Sequence, residues 1–128
     1  MSQPGQEGNI VIAERVEHIA KPDELRRDLN LSRERMARLF DVSAKTIERW
    51  EHQQGLPTGA SYRIRAQMAQ IQEIRDLGLI VYTPEGFHLF LTTPFPEFDG
   101  KTALQMIEQG RTEAVFAALA ADYEGVVS

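Results

Sequence analysis

The sequence predicts a mainly α-helical fold, in which a helix-turn-helix lobe is joined by a longer helix to a small C-terminal helical lobe. Three observations predict it. Apolar residues recur at helical spacing along most of the chain, serine or proline stands where helices would begin, and glycine or proline separates the segments. The expected organisation is an N-terminal arm at 1–20, the helix-turn-helix lobe at 21–58, a connecting helix and linker at 59–82, and the C-terminal lobe at 83–128.

The chain begins with a polar stretch and an apolar segment of ambiguous pattern. Residues 1–9 are polar, and we expect a disordered arm there. Ile10 and Ile12 suit an alternating strand, whereas Ile12, Val16 and Ile19 suit one face of a helix. We favour the helix for this segment.

A short helix is predicted next. Pro22 is favourable in a first helical turn, because its missing N–H would have no partner there. Asp23 and Glu24 add negative charge at the positive end of the helix dipole. Leu25 and Leu29 then form the buried face of this helix.

Residues 33–52 have the spacing of a helix-turn-helix. Ser32 is expected to cap the first helix of the pair and Ser43 the second. Asp41 falls in the turn, where a left-handed backbone is needed and where aspartate is tolerated better than most residues. Ala37 is small enough to let the two helices approach closely. The apolar contacts of the pair are expected from Met36, Phe40, Val42, Ile47 and Trp50.

The rest of the chain is also predicted to be helical. Gly55 and Pro57 are expected to end the second helix of the pair, and Gly78 to end a long amphipathic helix over 59–77. Residues 79–86 are interpreted as a connector, residues 85–93 as a short buried helix and residues 94–100 as a turn-rich loop. Two further helices are expected to be closed by Gly110 and Gly125.

The second helix of the pair carries a polar, basic outer face that suits the base edges of duplex DNA. Lysine and arginine donate hydrogen bonds to guanine O6 and N7 or to phosphate, and threonine can contact a thymine methyl group. The predicted DNA-binding residues are Arg33, Arg35, Ser43, Lys45, Thr46, Arg49 and Gln53. One such helix reads DNA weakly, so we expect a homodimer. The alternative is a helical hairpin with a solvated charged face.

The net charge of −5 argues against DNA binding, but the charge is unevenly distributed. Residues 26–65 hold nine basic and five acidic side chains, a local charge of +4. Residues 80–128 hold two basic and seven acidic side chains, and so carry the whole −5. Since DNA binding depends on local potential, the asymmetry predicts two halves with two kinds of partner.

Two stretches resemble a known family. Residues 31–51, LSRERMARLFDVSAKTIERWE, resemble the Xre-like helix-turn-helix, and residues 90–125 resemble the C-terminal domain of Xre/MbcA/ParS-type antitoxins. Family members often have proline where Ala103 stands and tryptophan where Phe90 stands. The matching elements are Phe90-Leu91, Thr93-Pro94, Pro96, Phe98, Asp99-Gly100, Lys101-Thr102, Leu104, Ile107, Gly110, Val115, Leu119 and Gly125.

The resemblance implies a type II antitoxin. Its C-terminal lobe would neutralise a RES-type toxin that consumes or uses NAD, and its helix-turn-helix would repress the shared operon by binding a double-stranded operator. The acidic C-terminal half agrees in outline, because it is unsuited to DNA and a short tail suits insertion into a cleft. The resemblance places the toxin-facing residues at Arg111, Glu113, Asp122, Tyr123, Glu124 and the segment after Gly125.

Other classes of function have no support in the sequence. The absence of cysteine excludes disulfides and thiolate zinc sites, and His18, His52 and His88 lack the spacing of metal ligands. We therefore expect no metal, no cofactor and no enzymatic activity. No apolar run is long enough to span a bilayer and the N-terminus does not resemble a signal peptide, so we expect a cytoplasmic protein without a membrane partner.

Two alternatives to the antitoxin stay open at this point. One is a stand-alone helix-turn-helix transcription regulator, whose C-terminal lobe serves only dimerisation or senses another signal. The other is a structural adaptor with no role at DNA.

Overall fold

The computed structural model describes residues 20–127, and the expectations for residues 1–19 lie outside them. Over that range the chain forms seven α-helices, one 3₁₀ turn and no strand, so the predicted mainly α fold class is confirmed. The elements are α1 (Pro22–Leu29), α2 (Arg33–Phe40), α3 (Ala44–Gln53), α4 (Tyr62–Val81), α5 (Pro84–Thr92), the 3₁₀ turn (Pro96–Phe98), α6 (Ala103–Glu108) and α7 (Thr112–Val127).

The helix pair α2–α3 has the caps and the turn that its sequence predicts. Ser32 Oγ accepts a hydrogen bond from the backbone N–H of Arg35, and Ser43 Oγ accepts one from Thr46, each at 3.1 Å. Asp41 has φ of 54°, the left-handed conformation expected at the turn. Ser32 thus caps the start of α2, while Asp41 and Ser43 define the turn into α3.

The end of α3 differs from the prediction by one residue. The left-handed residue is Gln54, with φ of 62°, and not Gly55. The backbone N–H of Gln54 donates to the carbonyl of Glu51 at 3.3 Å, and that of Gly55 donates to the carbonyl of Trp50 at 3.0 Å. These bonds give partners to carbonyl groups in the last turn of the helix. Gln54 adopts this conformation although it lacks the freedom of glycine.

Gly78 does not end the long helix, as the sequence suggested, but lies inside α4. The helix runs from Tyr62 to Val81, and Gly78 is buried where the ring of Phe87 crosses it. A Cβ atom at Gly78 would lie 2.2 Å from Phe87 Cε1. The residue is therefore a contact point between α4 and α5.

The connector predicted at 79–86 is also largely helical. It is divided between the last turn of α4 and the first turn of α5, where Thr83 Oγ1 accepts from the backbone N–H of Gly86 at 3.1 Å. Pro84 at the start of α5 prevents one continuous helix. Gly125 likewise lies within α7 and does not close it.

The helices α4 and α7 run side by side in the same direction. Thr112, the first residue of α7, donates to Gln70 in the middle of α4 at 2.9 Å, and Asp122 accepts from Tyr82 just past the end of α4. The residues of α7 after Asp122 therefore extend beyond the end of α4. This arrangement determines which part of α7 is left uncovered.

One hydrophobic core serves the whole described chain. It is built from buried side chains of all seven helices, and in its helix-turn-helix part the rings of Phe40 and Trp50 meet edge to face with centroids 5.4 Å apart. Outside that pair, α1 packs on α5 and α2 packs on α6. The predicted lobes thus share a core, and the residue boundaries between them stay a prediction.

Candidate functional site

The outer face of α3 presents basic side chains near its N-terminus. Ile47 and Trp50 are buried against the core, which leaves Lys45 and Arg49 on the solvent side. Among the ion pairs between described residues, none involves Lys45 or Arg49. Their positive charges are therefore available to an outside partner.

A short chain of hydrogen bonds organises this face. Ser43 Oγ lies 2.9 Å from Thr46 Oγ1, and Arg49 Nη2 donates to the same Thr46 oxygen at 3.3 Å. Because these residues are three apart on one helix, they lie on one side of it. The bonds orient the guanidinium of Arg49 towards the N-terminal end of α3, the end that enters the major groove in a helix-turn-helix.

Gln53 does not join this cluster. It lies eight residues after Lys45, about 12 Å along the helix axis. Its Nε2 donates to the carbonyl of Gly55 at 2.8 Å, so its side chain secures the end of α3. Gln53 therefore lies on the face of Arg49, one turn further along α3, but its side chain is engaged at the end of the helix and not in the cluster.

Arg33 is held against the side of α3 by Glu51. Its Nε lies 3.1 Å from Glu51 Oε1, and Arg26 makes two further hydrogen bonds to the same carboxylate, at 2.7 and 3.1 Å. The Glu51 side chain is only 8% exposed. Burial alone would raise the pKa of Glu51, but the hydrogen bonds from Arg26 and Arg33 outweigh it and hold that pKa below its ordinary value. The sequence did not reveal this cluster, because its members come from three helices.

Replacing Glu51 with glutamine should remove part of the acid sensitivity of folding. A carboxylate whose pKa is lower in the folded state contributes stability above its unfolded pKa, and this contribution is lost as pH falls through the folded pKa. The wild-type chain should therefore lose more unfolding free energy than Glu51→Gln as the pH drops below about 4.5. Urea unfolding at pH 7 and pH 3.5 measures this difference, with the exposed Glu48→Gln as the control. Equal losses in all three chains would contradict the assignment.

Arg35 lies on a different flank of α2 from Arg33. Residues two apart on a helix point about 200° apart, and Arg35 faces α6, where its Nε lies 2.9 Å from Glu108 Oε1. Arg38 Nε approaches the same oxygen at 3.9 Å. The two arginines predicted to flank DNA are thus not brought together.

The residues predicted to face a toxin fall into two groups on α7. Arg111 and Glu113 lie at its start, whereas Asp122, Tyr123 and Glu124 lie nine or more residues later, at least about 14 Å along the axis. Asp122 is engaged within the chain by Tyr82, and burial together with this hydrogen bond raises the pKa of Tyr82 to about 12. The two groups do not form a single charged patch.

The end of α7 carries exposed apolar side chains, in the segment that the resemblance predicts to face a toxin. Val126 is 70% exposed, Val127 63% and Tyr123 40%, and Ile80 on the last turn of α4 is 57% exposed at the same end of the helix pair. We call these four residues the C-terminal apolar surface, and of the four only Ile80 was not predicted. Val126 continues the buried stripe of α7 at helical spacing, but α4 ends before it. Such clustered apolar exposure is typical of a protein interface.

A membrane span and a metal cluster are both absent from the described part of the chain. No helix between residues 20 and 127 combines the length and the apolar character that a membrane span requires. In the same range, no three histidine, aspartate or glutamate side chains come together in a way that could hold a metal ion.

Comparison with known proteins finds one informative likeness. Neither a protein-family model nor a curated protein matches the chain. Among solved structures, the chain is similar to a chain in the crystal structure of the M. tuberculosis MbcT-MbcA toxin-antitoxin complex. The TM-score is 0.65 at 19% sequence identity, and the match covers 91% of this chain and 96% of that chain. The likeness shows a shared fold.

Proposed function

We propose that this chain is a type II antitoxin that represses its own operon by binding operator DNA through α3, and that neutralises a toxin through the end of α7. The observation that carries the proposal is the likeness over 91% of the chain to a fold found in a toxin-antitoxin complex. That coverage is too large to leave out either the helix-turn-helix or α7. The exposed basic face and the exposed apolar surface supply two chemically distinct contacts.

The proposed DNA contact rests on the charge and exposure of α3. Lys45 and Arg49 are exposed, have no ion-pair partner among the described residues, and lie beside the hydroxyls of Ser43 and Thr46. A good bidentate hydrogen-bond pair to a base edge contributes about 1–3 kcal/mol of discrimination against the wrong base, so a single α3 would recognise a DNA sequence only weakly. We therefore propose a homodimer on a two-fold operator, with half-sites roughly 34–36 Å apart.

The proposed toxin contact rests on the C-terminal apolar surface and its acidic surroundings. Tyr123 and Val126 supply uncovered apolar area, while Glu124 and the net charge of −5 over residues 80–128 favour a basic rim on the partner. The resemblance to Xre/MbcA/ParS-type antitoxins supports a RES-type, NAD-consuming toxin as that partner. Exposed anchors of this kind can be removed without disturbing the core.

The double variant Tyr123→Ala/Val126→Ala should lose toxin neutralisation while retaining DNA binding. Co-expression with the product of the adjacent reading frame measures neutralisation as growth, and co-purification measures binding. Tyr62→Ala is the matched control, since Tyr62 is 85% exposed near the opposite end of α4, about 27 Å from Ile80. Full protection by the double variant, or equal loss in the control, would refute the assignment of this surface.

One feature favours the alternative, a stand-alone transcription regulator with a C-terminal dimerisation region. The outer face of α7 combines Phe116, 39% exposed, with the small residues Ala117, Ala120 and Ala121, which would allow a second helix to pack closely. In that case Tyr123→Ala/Val126→Ala would turn a dimer into a monomer in the absence of any partner. Light scattering on the purified chain separates the two functions.

A further inference from the structure

A charged contact links the helix-turn-helix to the C-terminal helices. Arg35 Nε in α2 lies 2.9 Å from Oε1 of Glu108, the last residue of α6, and Arg38 Nε lies 3.9 Å from it. Both Arg35 Nε and Glu108 Oε1 are shielded from solvent, yet neither has a well-aligned hydrogen bond. The contact is therefore a coulombic pair in poor hydrogen-bond geometry.

The same arginine is placed for a different anion. In a helix-turn-helix the first helix crosses the DNA backbone, so that arginines along α2 can reach phosphates. The Arg35 side chain as a whole is still 34% exposed, so it is not sealed inside the core. A DNA phosphate and the Glu108 carboxylate would therefore compete for one cation.

We propose that the Glu108 carboxylate holds Arg35 in a position away from the phosphate backbone of DNA. By doing so it limits the affinity of the chain for DNA. Only residues 109–111 separate Glu108 from α7, and the backbone N–H of Arg111 donates to Met106 in α6 at 2.9 Å. The carboxylate is thus fixed by the C-terminal helices and not by the helix pair that reads DNA. This inference rests on the proposed DNA binding and concerns its regulation.

The test is the salt dependence of DNA binding by Glu108→Gln, which removes the charge and retains the shape. One additional phosphate contact per chain should steepen the slope of log K against log salt by about 0.9. If binding at 1 M salt is unchanged, that slope corresponds to roughly eightfold tighter binding per bound chain at 0.1 M salt, or about 60-fold for the proposed homodimer. Fluorescence anisotropy with a duplex from the chain's own upstream region measures both quantities.

Two controls separate this effect from a general change of charge or of structure. Glu97→Gln removes an equal charge from an exposed position in the C-terminal half and should leave the slope unchanged. In an Arg35→Ala background, Glu108→Gln should no longer tighten binding. An unchanged slope in Glu108→Gln, or equal slopes in Glu108→Gln and Glu97→Gln, would overturn the inference alone. A wild-type chain that binds no DNA would overturn the proposed function and this inference with it.

Discussion

Replacing Gly78 with alanine is expected to lower the unfolding free energy by about 2 kcal/mol, although alanine is normally the better helix former. Alanine should gain about 1 kcal/mol in helix propensity at this position. Its Cβ, however, would lie 2.2 Å from Cε1 and 2.4 Å from Cδ1 of Phe87, a ring that is fully buried. Overpacking of this kind costs about 3 kcal/mol, so the steric term outweighs the propensity term. Thermal unfolding should show a midpoint lower by roughly 6–10 °C.

Gly125→Ala provides a matched control with the opposite sign. Gly125 also lies within a helix, but nothing lies within 4 Å of a Cβ built there. The substitution should therefore stabilise the chain by up to about 0.5 kcal/mol. If both alanine variants were more stable than the wild-type chain, the packing of α5 on α4 described above would be wrong. In the Gly78→Ala background, Phe87→Leu should recover part of the lost stability.

Replacing Arg49 with alanine is expected to weaken DNA binding by about 1–3 kcal/mol per bound chain, a factor of roughly 5 to 150. The guanidinium is exposed, is oriented by Thr46 and has no carboxylate partner among the described residues, so its loss removes a contact and leaves the fold intact. Lys101→Ala removes an equal charge from outside α3 and should change binding much less. Anisotropy measured with both variants at one salt concentration gives the comparison.

The same Arg49→Ala chain should keep its helical circular dichroism and its ability to neutralise a co-expressed toxin. Loss of both functions together would indicate misfolding. Equal losses of DNA affinity in Arg49→Ala and Lys101→Ala would show that α3 is not the reading helix and that charge alone attracts the DNA.

Local chemistry was sufficient to predict much of the helix-turn-helix. Ser32 and Ser43 cap helices through hydrogen bonds to residues three positions away. Asp41 adopts a left-handed backbone conformation, which its residue type tolerates better than most. The role of Gly78 could not be predicted in this way. From sequence alone a glycine at this spacing predicts the end of a helix. Only the folded structure shows that the Phe87 ring packs against Gly78 and requires a residue without a side chain there.

The candidate surfaces show the same difference between features that follow from one helix and features that depend on contacts between distant helices. The periodicity of α3 placed Ile47 inside and Arg49 outside, because both follow from one helix alone. The partner of Arg35 belongs to a helix far along the chain, and only the folded structure brings Glu108 to it. The exposure of Val126 depends in the same way on where α4 ends relative to α7.

The central claim is that DNA and the partner protein contact different parts of one fold. The backbone amide spectrum of the labelled chain, titrated with a duplex from its own upstream region, tests this claim most directly. We predict that the signals of Lys45, Thr46 and Arg49 shift while those of Tyr123 and Val126 stay in place. Shifts concentrated in α7, with α3 unaffected at saturating DNA, would contradict the account.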